Sequence, residues 1–324
     1  MICVEIGKNE ENQRLDRFLR KYLENAPLSL IYKTIRKDVK VNGKRAKEDT
    51  VLKEGDVLNL YMSEADIEKY RKKPQRRKTK KQFSIAYEDD NILVAEKPFG
   101  LLTHGDQTEK RNHLANQVID YLIAEGAYNP RTEKTFTPAS VNRLDRNTTG
   151  LVLFGKNSES LRMLNKLIRE RNSISKYYLT IVKGTLDREL HLYDKAVKDR
   201  STNTVKVVSA DSDQGLTMET IAKPLESAGG YTLVEVRIIT GRTHQIRAHL
   251  AKEGYPIIGD AKYGNRKVND FIRKKYGWTT QLLHAYKLEF DGCEGLLSYL
   301  NGRSIECELP PDFARIKSNL FGGN

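Results

Sequence analysis

The chain has 324 residues, of which 38% are apolar and 22 are glycine, a globular share that excludes a disordered chain and suffices for one large domain or two ordinary ones. Lys and Arg number 56 against 43 Asp and Glu, a net of +13 that favours a polyanionic partner, most simply nucleic acid. No apolar run reaches the roughly 18 residues of a membrane helix, Met1–Asn12 carries no secretion signal, and Cys3, Cys293 and Cys307 form no CxxC, so a cytoplasmic protein without disulfides or a cysteine zinc site is expected.

Most of the excess charge is N-terminal. Residues 12–62 hold twelve Lys/Arg and seven Asp/Glu, and residues 63–82 hold nine and three. Within the first stretch, Leu15, Phe18, Leu19 and Tyr22 recur at helical spacing over Arg14–Leu23, and Leu28, Ile31, Tyr32 and Ile35 repeat the pattern over Leu28–Lys37. Val39–Lys44 alternates and turns at Asn42-Gly43, a hairpin signal, and Val51–Leu58 adds a Gly turn before another strand. This helix-helix-hairpin pattern, with Arg14-Leu15-Asp16, Val41-Asn42-Gly43-Lys44 and Gly55-Asp56, resembles the small RNA-binding domain named after the fourth protein of the small ribosomal subunit. The pattern departs from that family at Ser29-Leu30 and Asp38. The resemblance implies that Arg36, Lys40, Asn42 and Lys44 face RNA, meeting phosphates without reading sequence. The run through Lys81 that follows is almost free of large apolar residues, so 63–82 is expected to be a flexible basic linker between a module over 1–62 and a larger domain over 83–324.

From Phe83 onward short β-like runs alternate with occasional helices. Ile85–Tyr87, Ile92–Ala95, Leu151–Phe154, Ser175–Val182, Tyr231–Ile239 and Leu282–Phe290 read as strands. One helix begins at Asn157 or Ser158 and carries Leu161, Leu164, Leu167 and Ile168; another, capped by Thr243, carries Ile246 and Leu250 and stops near Gly254. Many strands with few helices indicate an α+β domain on a mixed, mainly antiparallel sheet.

Two polar constellations stand out. In Val141–Gly150 two arginines flank Asp145 just before a strand, the setting in which a carboxylate nucleophile stays ionised; a surface loop whose Asp caps a turn would look the same. Gly241–Leu250, with Ile258–Gly264, holds His244, His249 and Asp260. A metal-dependent hydrolase is one reading of these three, but five helical residues separate the two histidines by about 140°, where a zinc pair wants a spacing of four. Neither GxGxxG nor GxxxxGK[ST] appears, so no nucleotide cofactor is expected.

Taken together, Tyr87-Glu88-Asp89 through Lys97-Pro98, Arg143-Leu144-Asp145 with Thr148-Thr149-Gly150, Lys176-Tyr177-Tyr178-Leu179 through Gly184, and Gly241–Leu250 with Gly259-Asp260 resemble the RluA-type pseudouridine synthases. The order and spacing agree over nearly all of residues 83–310, with Asn142 standing where His commonly precedes Arg-Leu-Asp. The resemblance implies isomerisation of uridine to pseudouridine in RNA, with no metal and no cofactor. Asp145 would be the essential residue, either attacking the ribose anomeric carbon or assisting departure of uracil to a glycal-like intermediate. Arg242 would pair with and aim it, and Tyr178 would pack on the uracil and help remove the carbon-5 proton. Arg143 would fill the gap left by a flipped-out base, and Lys262, with Arg266 and Lys267, would hold RNA backbone. Large-subunit ribosomal RNA is the expected substrate and a monomer the expected state. A non-catalytic RNA-binding or assembly factor is the alternative; it would bind RNA without changing its uridines.

Overall fold

A computed structural model describes residues 1–71, 79–171, 173–199, 201–202 and 204–322. The N-terminal elements are β1 (Ile2–Glu5), α1 (Leu15–Tyr22), α2 (Leu28–Lys37), β2 (Val39–Val41), β3 (Lys44–Arg45), β4 (Val57–Leu60) and α3 (Glu64–Tyr70). The strands form one antiparallel sheet in the order β1-β4-β2-β3. Leu15, Phe18, Leu19, Ile31 and Ile35, the two apolar stripes read from the sequence, bury together against Leu58 and Leu60. The Asn42-Gly43 turn has positive φ at both residues (51° and 76°), the left-handed pair that a tight hairpin requires.

The segment expected as a flexible linker is helical in its first part. Ser63 caps α3 by accepting from Asp66 N, and Ile67 enters the N-terminal core with Tyr70 packed beside it. A single apolar face every three to four residues sufficed to anchor seven residues whose composition is otherwise charged. Lys72–Lys78, the densest part of the basic run, lies outside the described residues. Beyond it, Thr79 donates to Asp120 and Gln82 N to Gln117.

The larger part comprises β5 (Ser84–Glu88), β6 (Ile92–Lys97), α4 (Leu114–Ala124), β7 (Ala139–Ser140), β8 (Thr149–Gly155), α5 (Ser158–Glu170), β9 (Ile174–Lys183), β10 (Leu190–Asp199), β11 (Thr204–Val208), β12 (Leu216–Ala228), β13 (Tyr231–Ile238), α6 (Gln245–Lys252), α7 (Arg266–Tyr276), β14 (Leu283–Phe290), β15 (Ser304–Glu306) and α8 (Pro311–Phe321). Its sheet runs β11-β10-β12-β13-β9-β14-β8-β6-β5, with β15 on β14 and β7 on β8. Among the described strands every pairing is antiparallel except β14 with β8, so the fold is α+β on a mainly antiparallel sheet. α5 starts with Asn157 as its cap. α6 differs from expectation: His244, in a left-handed conformation, occupies the cap position that Thr243 was expected to fill, and it makes no side-chain cap bond.

The parallel β8–β14 contact requires a glycine. Gly150 has φ 108°, and a Cβ there would lie 2.0 Å from the carbonyl oxygen of Ala285. The polar loop from Val141 to Thr148 therefore ends at the centre of the sheet, where β8 and β14 meet. The N-terminal module touches the larger part near the start of α5: Ser158 N donates to Asn9 Oδ1 (2.9 Å), and Asn9 Nδ2 donates to Glu133 (2.9 Å).

Candidate active site

The polar loop is pinned from three sides. Leu144 N donates to Thr103 Oγ1, which donates back to Leu144 O. Asn142 Oδ1 accepts from Leu153 N and its Nδ2 donates to Leu151 O, so the residue that departs from the family pattern secures the loop to β8. Lys97, only 1% exposed, donates to the carbonyls of Pro98, Leu101 and Arg146 at 2.7–3.1 Å. Burial pulls this ammonium down to about 7, while the charge of Asp145 works in the other direction. Sequence reading singled out Lys97 only as part of a motif; its role as a three-way clamp is visible only when residue 146 is folded over it.

Asp145 emerges from this loop with its side chain 30% exposed. Its partner is Arg247, not Arg242. Arg247 Nη1 donates to Asp145 Oδ2 at 2.9 Å, while its Nε and Nη2 grip Asp260 at 2.7 and 2.9 Å. The Arg247 side chain is 6% exposed and that of Asp260 is fully buried. Burial opposes the charge on Asp260, but the Arg247 fork and the Lys262 and Tyr263 amides hold it below the usual carboxylate value. Arg242 lies outside the helix on the preceding turn, and its Nε donates to the carbonyl of Thr217 instead. The physical reason is placement: Arg247 is inside α6 between Ile246 and Ala248, a position an arginine occupies only when paired, and Asp260 supplies the pair. That buried setting was the available signal in the sequence.

Gln245 explains how the turn before α6 keeps its shape. Its Oε1 accepts from Arg242 N and Thr240 Oγ1, and its Nε2 donates to Glu219 O and Thr220 Oγ1 on β12. His244 then presents Nε2 to Asp145 Oδ2 at 3.8 Å. His249 turns away to Thr220 Oγ1 at 2.8 Å and lies fully buried, so the two histidines do not converge. Among the described residues no group of three or more His, Cys, Asp or Glu is placed to hold a metal ion.

Asp145, His244, Arg242 and Tyr178 line one cavity of about 870 Å³. Tyr178 is buried on β9, opposite Val236 and Ala285. Burial, reinforced by Asp145, pushes its phenol up, so it stays protonated at neutral pH. Arg143 is an exposed residue of the cavity lining, and Lys176, Lys198 and Lys262 add positive charge to the walls. In the N-terminal module Arg36 and Lys44 are exposed and Lys40 lies over the Tyr61 ring. Asn42 is exposed too, and its amide holds the hairpin, Nδ2 donating to Asp56 Oδ1 and Oδ1 accepting from Val57 N. No described helix is long and apolar enough to cross a membrane.

A family model described as RNA pseudouridylate synthase matches residues 91–252, which contain the polar loop, β9 and α6. The chain is 32% identical over 292 residues to the ribosomal large subunit pseudouridine synthase C of Vibrio cholerae, covering 89% of this chain and 88% of that one. The Escherichia coli protein of the same name is 33% identical over 291 residues, with the same coverage. Among solved structures, human RNA pseudouridylate synthase domain containing 4 superposes with a TM-score of 0.57 at 24% identity, over 73% of this chain and 92% of that chain. The chain belongs to the RNA pseudouridylate synthase family.

Proposed function

We propose that this protein isomerises uridines of large-subunit ribosomal RNA to pseudouridine, with Asp145 as the catalytic carboxylate. The observation that carries this reading is the Asp145–Arg247 pair at 2.9 Å, set beside Tyr178 in a cavity with basic walls. Arg247 holds one carboxylate oxygen, Oδ2. Among the described residues no hydrogen bond reaches Oδ1, which leaves that oxygen for the ribose. The target nucleotide is extruded from its stack into the cavity, Arg143 enters the space it leaves, and Asp145 acts at the anomeric centre. Uracil, held against the Tyr178 face, rotates and rejoins through carbon 5. With its hydroxyl protonated, Tyr178 serves as a packing surface and hydrogen-bond donor rather than as a phenolate base. Arg36, Lys40, Lys44 and Lys262 meet phosphates, giving affinity without sequence readout. The enzyme acts as a monomer, and its three free cysteines suit a reducing cytoplasm.

Mapping pseudouridines in ribosomal RNA from cells with and without the gene tests the substrate. Complementation with Asp145→Asn tests the carboxylate: the variant should bind RNA as tightly as the parent and restore no pseudouridine. Restored modification would refute the assignment.

A further inference from the structure

His244 is held in a way that its position in the motif does not explain. It is one of the few non-glycine residues with positive φ (52°), a conformation that costs free energy and that the surrounding structure must maintain. Its Nδ1 is 3.0 Å from the hydroxyl of Tyr263. That hydroxyl already accepts a 2.6 Å hydrogen bond from Val205 N on β11. Tyr263 is itself fixed: its amide donates to Asp260, and its ring packs under the Arg247 guanidinium at 5.3 Å. The hydroxyl proton needs an acceptor, and among the described residues His244 Nδ1 is the one within hydrogen-bond distance, so the O–H donates to Nδ1. The imidazole proton then sits on Nε2, the nitrogen facing Asp145 Oδ2 across 3.8 Å.

A donor and an acceptor set this far apart, too far to bond each other, suit a group that both accepts and donates. Resting on the functional reading above, the ribose anomeric carbon approaches Asp145 Oδ1. The group on the neighbouring carbon is the 2′-hydroxyl, which is both a donor and an acceptor. We infer that His244 and Asp145 together recognise the 2′-hydroxyl of the target nucleotide, His244 Nε2 donating to it and Asp145 Oδ2 accepting from it. His244 is thereby a specificity-determining residue that distinguishes ribose from deoxyribose at the modified position. Burial, against the pull of Asp145 and with the help of Arg247 and Lys262, lowers the histidine below its ordinary value. It works as a neutral donor and does not compete with Arg247 as a cation.

The test uses two RNA oligonucleotides spanning the mapped site, identical except for uridine or 2′-deoxyuridine at the target. Each competes with a trace of labelled uridine RNA, and the ratio of the half-inhibiting concentrations is read. Because this is a ratio, it does not depend on how much of a variant is folded. The parent enzyme should prefer the ribose oligonucleotide by about a hundredfold, the worth of one neutral hydrogen bond and one to a carboxylate. His244→Ala should lower the ratio about tenfold, leaving the preference that Asp145 alone supplies. His244→Gln, whose amide places an N–H at a similar reach, should restore most of the preference, and Tyr263→Phe should lose part of it. An unchanged ratio in His244→Ala, or no preference in the parent, overturns the inference while leaving the catalytic assignment intact. Absence of any turnover by the parent on ribosomal RNA would instead overturn the functional reading.

Discussion

Exchange of the two arginines of the Gly241–Leu250 motif separates the structural assignment from the sequence-based one. Arg247→Met removes three charge-assisted hydrogen bonds at 2.7–2.9 Å and leaves Asp260 ionised with its side chain fully buried. Removing one partner of such a buried pair costs about 3–5 kcal/mol, a large part of a typical domain's stability. The pH dependence should also change sign. In the parent, Asp260 lies below its ordinary value of 3.8, so its contribution is present above about pH 4 and is lost as acid protonates it. Without Arg247, only the Lys262 and Tyr263 amides still oppose burial, the largest single influence, so the value should rise and the variant's deficit should be greatest near pH 8 and shrink toward pH 5. Arg242→Ala loses a single hydrogen bond to a neutral carbonyl, worth about 1 kcal/mol. Urea unfolding at several pH values measures the stability. Tritium release from RNA labelled at uracil carbon 5 measures turnover. Loss of the Asp145 contact should reduce kcat at least about tenfold to a hundredfold in Arg247→Met, whereas Arg242→Ala should act mainly on KM. A stable, active Arg247→Met beside an inactive Arg242→Ala would refute the reasoning.

Three further outcomes are expected. Burial lowers both His249 and His284 to about 4, so the unfolded chain binds their protons first and stability should fall as pH drops from about 6.5 to 4, by up to about 3 kcal/mol for each; His284→Gln should flatten that slope in urea titrations, and a profile already flat in the parent would count against it. Lys97→Met strands the carbonyls of Pro98, Leu101 and Arg146 and should cost about 2–4 kcal/mol with a loss of kcat, since the Asp145 loop loses its clamp; unchanged melting and turnover would show the clamp to be dispensable. Gly150→Ala places a methyl 2.0 Å from the Ala285 carbonyl at φ 108° and should cost at least about 3 kcal/mol, seen as insoluble protein or a strongly lowered melting temperature.

Much of the molecule was legible in the residues because it depends on short-range rules. The stripes Leu15–Tyr22 and Leu28–Ile35, the Asn42-Gly43 turn and the Asn157 cap obey periodicity and local hydrogen bonding, which need only neighbours in the chain. The quoted motifs likewise marked Asp145 and Tyr178 as residues of one site. Charge composition misled at Glu64–Tyr70, where burial of Ile67 outweighed the polar majority. What only the tertiary structure decided is which cation meets which anion. Asp145 and Arg247 are 102 positions apart, and Arg242 and Arg247 differ by less than two helical turns, a distinction no spacing rule resolves. It is settled by the buried Asp260, which takes two of the guanidinium's donors and aims the third at the catalytic loop, and by Lys97, Thr103 and Tyr263, whose partners arrive from distant strands and loops.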